Sequence, residues 1–316
     1  MKTKKIMGKI VSLDPIFDTL IDANTQIEIL AEGFAWTEGP VWIKDGEFLL
    51  FSDIPNNVIY KWKEGQGISE FLKPSGYTGL GYHSKESGSN GLALSSDGGL
   101  IVCEHGDRRV TKISFKNGEK ETLADRFDGK KFNSPNDVVE KSNGDIYFTD
   151  PIYGLPNGEF DETREINFCG VYKIDKKTRE VVCVVSNLLR PNGLAFSPKE
   201  DVLYVSQSHK EFAYIMGYPV LKNGSLGGGA IFYDTTPFLK QGFVGLPDGL
   251  KLDINGNLFA TGPSGILVIS PKRDLLGRIE TGQLTSNCAW GGSALYITAN
   301  SFLLRIQTNG IIYKNN

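Results

Sequence analysis

The chain has 316 residues, 40% hydrophobic and 22% charged, which are values of a soluble globular protein and not of a fibrous, disordered or membrane-embedded one. A formal net charge of −3 offers no basic field to nucleic acid. The cysteines Cys103, Cys169, Cys183 and Cys288 show no CxxC spacing and are expected to be reduced thiols, while 37 glycines suit a fold with many tight turns.

Residues 1–25 read as an N-terminal extension, extended and only partly ordered. The lysines of Met1 to Lys9 precede no apolar run, and Asp14, Pro15 and Asp18 break Val11 to Ile21. Neither a signal peptide nor a membrane span is expected there. With the reduced thiols, this predicts a cytoplasmic protein with no membrane partner. Residues 26–316 read as one domain. Gln26 to Ala31 alternates polar and apolar residues, as a strand does. Glu38 to Trp42 then forms a first strand, Lys44-Asp45-Gly46-Glu47 a turn, and Phe48 to Ser52 a second strand. Asp-Gly between two apolar runs is a strong hairpin signal.

That hairpin recurs. Ser89-Asn90-Gly91-Leu92, Ser134-Pro135-Asn136-Asp137-Val138, Arg190-Pro191-Asn192-Gly193-Leu194, Leu246-Pro247-Asp248-Gly249-Leu250 and Asn287-Cys288-Ala289-Trp290 repeat the opening of the first strand. The polar markers stand at 38, 90, 136, 192, 248 and 287, at spacings of about 40 to 56 residues. Third strands follow at Val58 to Trp62, Arg109 to Ile113, Gly170 to Ile174, Tyr214 to Val220, Gly265 to Ser270 and Leu303 to Gln307. Fourth strands follow at Glu70 to Leu72, Glu121 to Ala124, Val181 to Val185, Ala230 to Tyr233 and Gly277 to Thr281. The sixth copy has no fourth strand of its own, and Gln26 to Ala31 is left to supply it. The pattern predicts an all-β, six-bladed β-propeller of four-stranded antiparallel blades, closed by the N-terminal strand, which would leave no open sheet edge. A β-sandwich is the other arrangement open to such strands, but it needs no polar marker at a fixed offset.

In a propeller the first strands line the central channel, so Glu38, Asn90, Asn136, Asn192, Asp248 and Asn287 are expected to meet there. Two carboxylates among amide carbonyls make a hard oxygen cage. Alone, the two acids would repel and one would take up a proton. A divalent cation resolves that conflict, with calcium ahead of magnesium or manganese, and zinc is disfavoured by the lack of His and Cys. The competing reading is that Asn and Asp merely cap strands through local backbone bonds. The links between blades open on the same face as the loops joining strands two and three. That face therefore receives the long Asp150-to-Phe168 loop and all three histidines, His83, His105 and His209, as an active-site mouth would require.

At these residues the chain resembles the gluconolactonase/regucalcin (senescence marker protein) family of six-bladed propellers. The resemblance spans roughly Ile29 to Ile306. Its carriers are Trp36-Thr37-Glu38-Gly39-Pro40-Val41-Trp42, Val102-Cys103-Glu104-His105-Gly106-Asp107-Arg108-Arg109-Val110, Asn133-Ser134-Pro135-Asn136-Asp137-Val138, Tyr147-Phe148-Thr149-Asp150-Pro151, Arg190-Pro191-Asn192-Gly193-Leu194 and Pro247-Asp248-Gly249. It implies one catalytic divalent metal, calcium or zinc, on Glu38, Asn192 and Asp248, with Asn136 as ligand or substrate contact. It also implies hydrolysis of a sugar lactone or related cyclic ester. Ser134 stands where the animal regucalcin branch carries an Arg, which resembles the bacterial gluconolactonase branch and removes that Arg's substrate contacts.

The function expected is metal-assisted hydrolysis of a small-molecule sugar lactone, with Asp248 as ligand and proton acceptor. His105, Arg108, Asn90 and Asn136 are the expected contacts to substrate. No Gly-x-Ser-x-Gly elbow is present, so a serine nucleophile is not invoked. Two other readings stay open: a metal-dependent phosphotriesterase or other lactonase on the same propeller, and a non-catalytic calcium-binding scaffold. The sequence sets no oligomeric state.

Overall fold

The computed structural model describes residues 5–310, 312 and 313; Met1 to Lys4 of the expected extension lie outside the described residues. Six antiparallel sheets succeed one another along the chain, forming a six-bladed β-propeller. The innermost strands of blades one to six are Thr37–Ile43, Ser89–Leu94, Val138–Glu140, Pro191–Phe196, Leu250–Leu252 and Thr285–Gly291. Within blades one to four, strand order follows chain order outward, and in blades five and six N-terminal strands are added at the outer edge. Ile27–Glu32 lies antiparallel beside Phe302–Gln307 as the fourth strand of blade six, with Phe302 opposite Glu32.

The alternation of each strand sends one face to the blade before and one to the blade after. Six apolar clusters result, one between each pair of neighbouring blades. Leu50 and Ile59 of blade one meet Leu92 and Val102 of blade two, for example, and Ala289 and Tyr296 of blade six meet Leu49 and Phe51 of blade one. The interior is therefore a closed ring of sheet-on-sheet contacts about an axis, and the axis itself is left for polar side chains.

The N-terminal segment departs from the extended reading. Ile6–Met7 adds to Ile27–Glu32, and Lys9–Ser12 pairs with Leu275–Glu280 as a fifth strand of blade five. Asp14 caps a short helix, Pro15–Leu20, by accepting from the Ile16 amide at 2.8 Å. The helix drives Phe17 into the core between blades five and six. Gly277 makes room, since a Cβ there would stand 2.3 Å from the Phe17 ring. Four-residue strands carry too little pattern to be read, and the partner of this one lies at the far end of the chain. Among the described residues, no helix is long and apolar enough to cross a membrane.

Candidate active site

Blades one, three and four deliver their marker residues to the axis by the same device. The last residue of the second strand reaches back to the link entering the first. Asp53 accepts from the amides of Ala35 and Trp36 at 3.2 and 3.1 Å. Asp150 accepts from Asn133 and Ser134, both at 2.8 Å, and Gln207 accepts from Leu189 at 2.8 Å. A second-strand hydroxyl then grips the marker carbonyl of the next blade. Ser52 donates to the Asn90 carbonyl at 2.8 Å, Thr149 to that of Asn192 at 2.7 Å, and Ser206 to that of Asp248. Markers far apart in sequence are thus locked to their neighbours' frames.

The glycine after the marker in blades one, two, four and five answers to crowding at the axis. A Cβ on Gly39 would lie 2.1 Å from the Asn90 carbonyl oxygen, and one on Gly193 would lie 2.2 Å from that of Asp248. In blade three the position holds Asp137, whose carboxylate enters the channel and accepts from Asn287 Nδ2 at 3.4 Å.

The marker side chains form a nearly continuous network. Asn90 Nδ2 donates to Asn136 Oδ1 at 2.8 Å, and Asn136 Nδ2 to Asn192 Oδ1 at 2.6 Å. Asn287 Nδ2 donates to Glu38 Oε2 at 3.1 Å, and the Gly39 amide donates to the same oxygen at 2.8 Å. Asp248 completes the set, but its Oδ1 is buried without a hydrogen-bond partner, and so is Asn90 Oδ1.

Electrostatics single out the acids. Burial pushes the Glu38 carboxyl up to about 8, with the charge of Asp137 adding to it. Burial pushes Asp248 well above the usual carboxylate range, and Glu38, Asp137 and Glu86 raise it further. Asp137 is also raised by burial, offset in part by Lys251. This is the strain of like charges in a desolvated channel. Among the described residues, no group of three or more His, Cys, Asp or Glu stands at metal-ligating spacing. The donors here are two carboxylates, Glu38 and Asp248, with the amide oxygens of Asn136 and Asn192. All are hard, Asp248 Oδ1 lacks a donor, and the two acids need a counter-charge. The set fits a divalent cation of the calcium or magnesium type.

The expected substrate contacts lie less simply. Asn90 and Asn136 belong to the ring. His105 is fully buried against it, with Nε2 3.3 Å from Asn136 Oδ1 and 3.4 Å from Asn90 Nδ2. Its Nδ1 donates to the Glu86 carbonyl at 3.2 Å, so both ring nitrogens are engaged, and burial lowers its pKa to about 4, leaving the ring neutral. Arg108 spends Nε on the Phe132 carbonyl at 2.6 Å and Nη1 on that of Thr163 at 2.9 Å, clasping the long loop of blade three. His209 is stacked on Phe212 at 5.4 Å.

Three residues escaped the sequence reading. Asp137 was detectable as the acid standing where four of the other five copies have Gly. Glu86 and Tyr153 were not, because they sit in long links whose course is set by tertiary anchors. Burial pushes the Glu86 carboxyl up to about 7. Tyr153 hydrogen-bonds Ser208 and lies within electrostatic reach of Asp248, and burial raises its phenol so that it stays protonated.

Comparison with known proteins agrees with this architecture. Residues 36–301 match the family model described as SMP-30/Gluconolactonase/LRE-like region. A gluconolactonase of Zymomonas mobilis is 40% identical over 309 residues, covering 96% of this chain and 86% of that protein. A lactonase, drp35, of Staphylococcus epidermidis is 24% identical over 292 residues, covering 88% of this chain and 81% of that one. The solved structure of a gluconolactonase from Xanthomonas campestris superposes with a TM-score of 0.84 at 26% identity, covering 98% of this chain and 99% of that one. With a family model spanning most of its length and a relative this close, the chain belongs to the SMP-30/gluconolactonase/LRE-like family.

Proposed function

We propose that this lactonase opens an aldonolactone of the glucono-1,5-lactone type, with one divalent cation held by Glu38, Asn136, Asn192 and Asp248. The observation that carries the reading is the buried, partnerless Asp248 Oδ1 beside a second buried acid, Glu38, each pushed above the usual carboxylate range. Oxygen-only donors favour calcium, with magnesium or manganese next and zinc last. When bound, the cation would polarise the lactone carbonyl and offset the charge of the oxyanion.

The chain's own residues do the rest. Asp248 accepts a proton from the water that adds to the carbonyl carbon. The acyl carbon–ring oxygen bond then breaks, and the released alkoxide takes up a proton to give the open hydroxy acid. Asn90 and Asn287 hold the amides and the Glu38 carboxylate in place, and His105 ties the ring to the loop above it. Tyr153, kept protonated by burial, lies within electrostatic reach of Asp248 and adds no charge to it. The test is acid release from glucono-1,5-lactone in weak buffer, before EDTA, after EDTA, and after adding back calcium, magnesium, manganese or zinc. Loss with EDTA and recovery with calcium is expected. Full activity after exhaustive chelation would remove the cation from the reaction.

A further inference from the structure

Beyond Asp248 Oδ1 and Asn90 Oδ1, two more buried side-chain atoms have no hydrogen-bond partner: His83 Nε2 and Arg108 Nη2. The imidazole of His83 is held firmly. It stacks on Tyr77 with ring centres 4.7 Å apart and planes 23° from parallel. Tyr77 is fixed in turn by Asn57, which donates to its carbonyl at 2.8 Å and accepts from its amide at 3.2 Å. His83 also hydrogen-bonds the Gly154 backbone, and Gly154 lies directly on His105, the residue that touches the ring. His83 is therefore linked to the marker ring through Gly154 and His105.

Its chemistry is defined by that bond. With one nitrogen donating to the Gly154 carbonyl, Nε2 is an acceptor. Arg108, within electrostatic reach of His83, presents a donor, since its other nitrogens are taken by Phe132 and Thr163. Buried polar atoms are almost always paired, so such a pair marks where a ligand's polar groups complete the pattern. A carboxylate only accepts and an ammonium only donates, whereas a hydroxyl does both. We infer that His83, together with Arg108, binds the ring hydroxyls of the substrate and so selects polyhydroxylated lactones over plain ones. The assignment rests on the lactonase reading above and replaces His105, whose nitrogens are already engaged.

The experiment compares glucono-1,5-lactone with δ-valerolactone, the same ring without hydroxyls, on wild type and three variants. His83→Phe keeps a ring to stack on Tyr77 and loses both nitrogens. His83→Asn keeps a polar atom near the Gly154 bond, and His83→Gln keeps one near Nε2. The preference for the hydroxylated lactone, as a ratio of kcat/KM values, is expected to fall about tenfold in the Phe and Asn variants, mainly through KM. His83→Gln is expected to stay within about threefold of wild type. An unchanged ratio in His83→Phe, equal losses on both lactones, or retention by Asn with loss in Gln would each overturn the assignment. A wild-type protein that opens neither lactone sinks the underlying reading instead, which separates the two failures.

Discussion

Gly193 faces the Asp248 carbonyl so closely that an added Cβ would stand 2.2 Å from its oxygen and 2.7 Å from the Gly249 Cα. Both obstacles are backbone, and backbone at the axis is pinned by the Ser206 hydroxyl on that same carbonyl. Gly193→Ala must therefore displace Asp248 or unfold the blade contact. The expected cost is about 3 kcal/mol, at the upper end of overpacking penalties, together with a large loss of kcat. Gly228→Ala, with nothing within 4 Å of the added methyl, serves as the control and should stay within about 0.5 kcal/mol. Urea midpoints for the two variants check it.

That contact also explains why the ring was legible in the sequence. Asn192-Gly193-Leu194 and Pro247-Asp248-Gly249 repeat because neighbouring blades approach this closely at the axis, so the constraint is written as a glycine at four of the six copies. The blade count and the marker positions follow from it. What lies off the axis is written more faintly. The fourth strand of blade one starts at Gly67 and not at Glu70, because Gly67–Leu72 is an outer strand with little burial to enforce alternation. The loop carrying His83 and Glu86 is shaped by Asn57 and by Asp107, whose carboxylate holds the Thr78 amide at 3.1 Å, and no local pattern reveals such anchors. Spacing alone therefore favoured His105, which follows a strand, over His83, which has the free nitrogen.

The N-terminal segment is expected to behave as part of the fold. Phe17 is fully buried among Ile266, Leu276 and Ile279, and Lys9–Ser12 covers the outer edge of blade five. Phe17→Ala should cost about 3–5 kcal/mol. Removal of residues 1–21 should expose the Leu275–Glu280 edge and promote association between chains. Thermal melts and light scattering on the two variants are the measurements. Unchanged stability in Phe17→Ala would show that the helix does not hold the blade.

Glu86 gives the metal-free protein a pH signature. Its folded value is raised to about 7 from an ordinary 4.5. A carboxyl raised by folding contributes stability that is complete below the unfolded value and is lost as pH rises through the folded one. Stability in EDTA should therefore decline from pH 5 to pH 8 through this group, and Glu86→Gln should flatten that decline. The side chain is 38% exposed, so solvent screening keeps the change modest. Urea midpoints at both pH values decide it, and a Glu86→Gln profile parallel to wild type would remove Glu86 as the cause.

Asp248→Asn should separate stability from catalysis. In the metal-free protein, Asp248 is a desolvated acid beside Glu38, and because folding raises its carboxyl well above the ordinary range, holding it in the fold costs stability at neutral pH. Asparagine keeps the shape and removes the charge, so in EDTA the variant should be as stable as wild type or more so. Added calcium should then raise the melting temperature of wild type, because a cation that binds only the folded state stabilises it by mass action, by about 2.7 kcal/mol at a hundred times its dissociation constant. The variant, with one carboxylate fewer in the donor set, should gain much less. Turnover should fall by at least about 100-fold, the lower range for loss of a proton acceptor, and further if the cation site is also lost. A variant with full turnover, or one whose melting temperature responds to calcium as wild type does, would take Asp248 out of both roles.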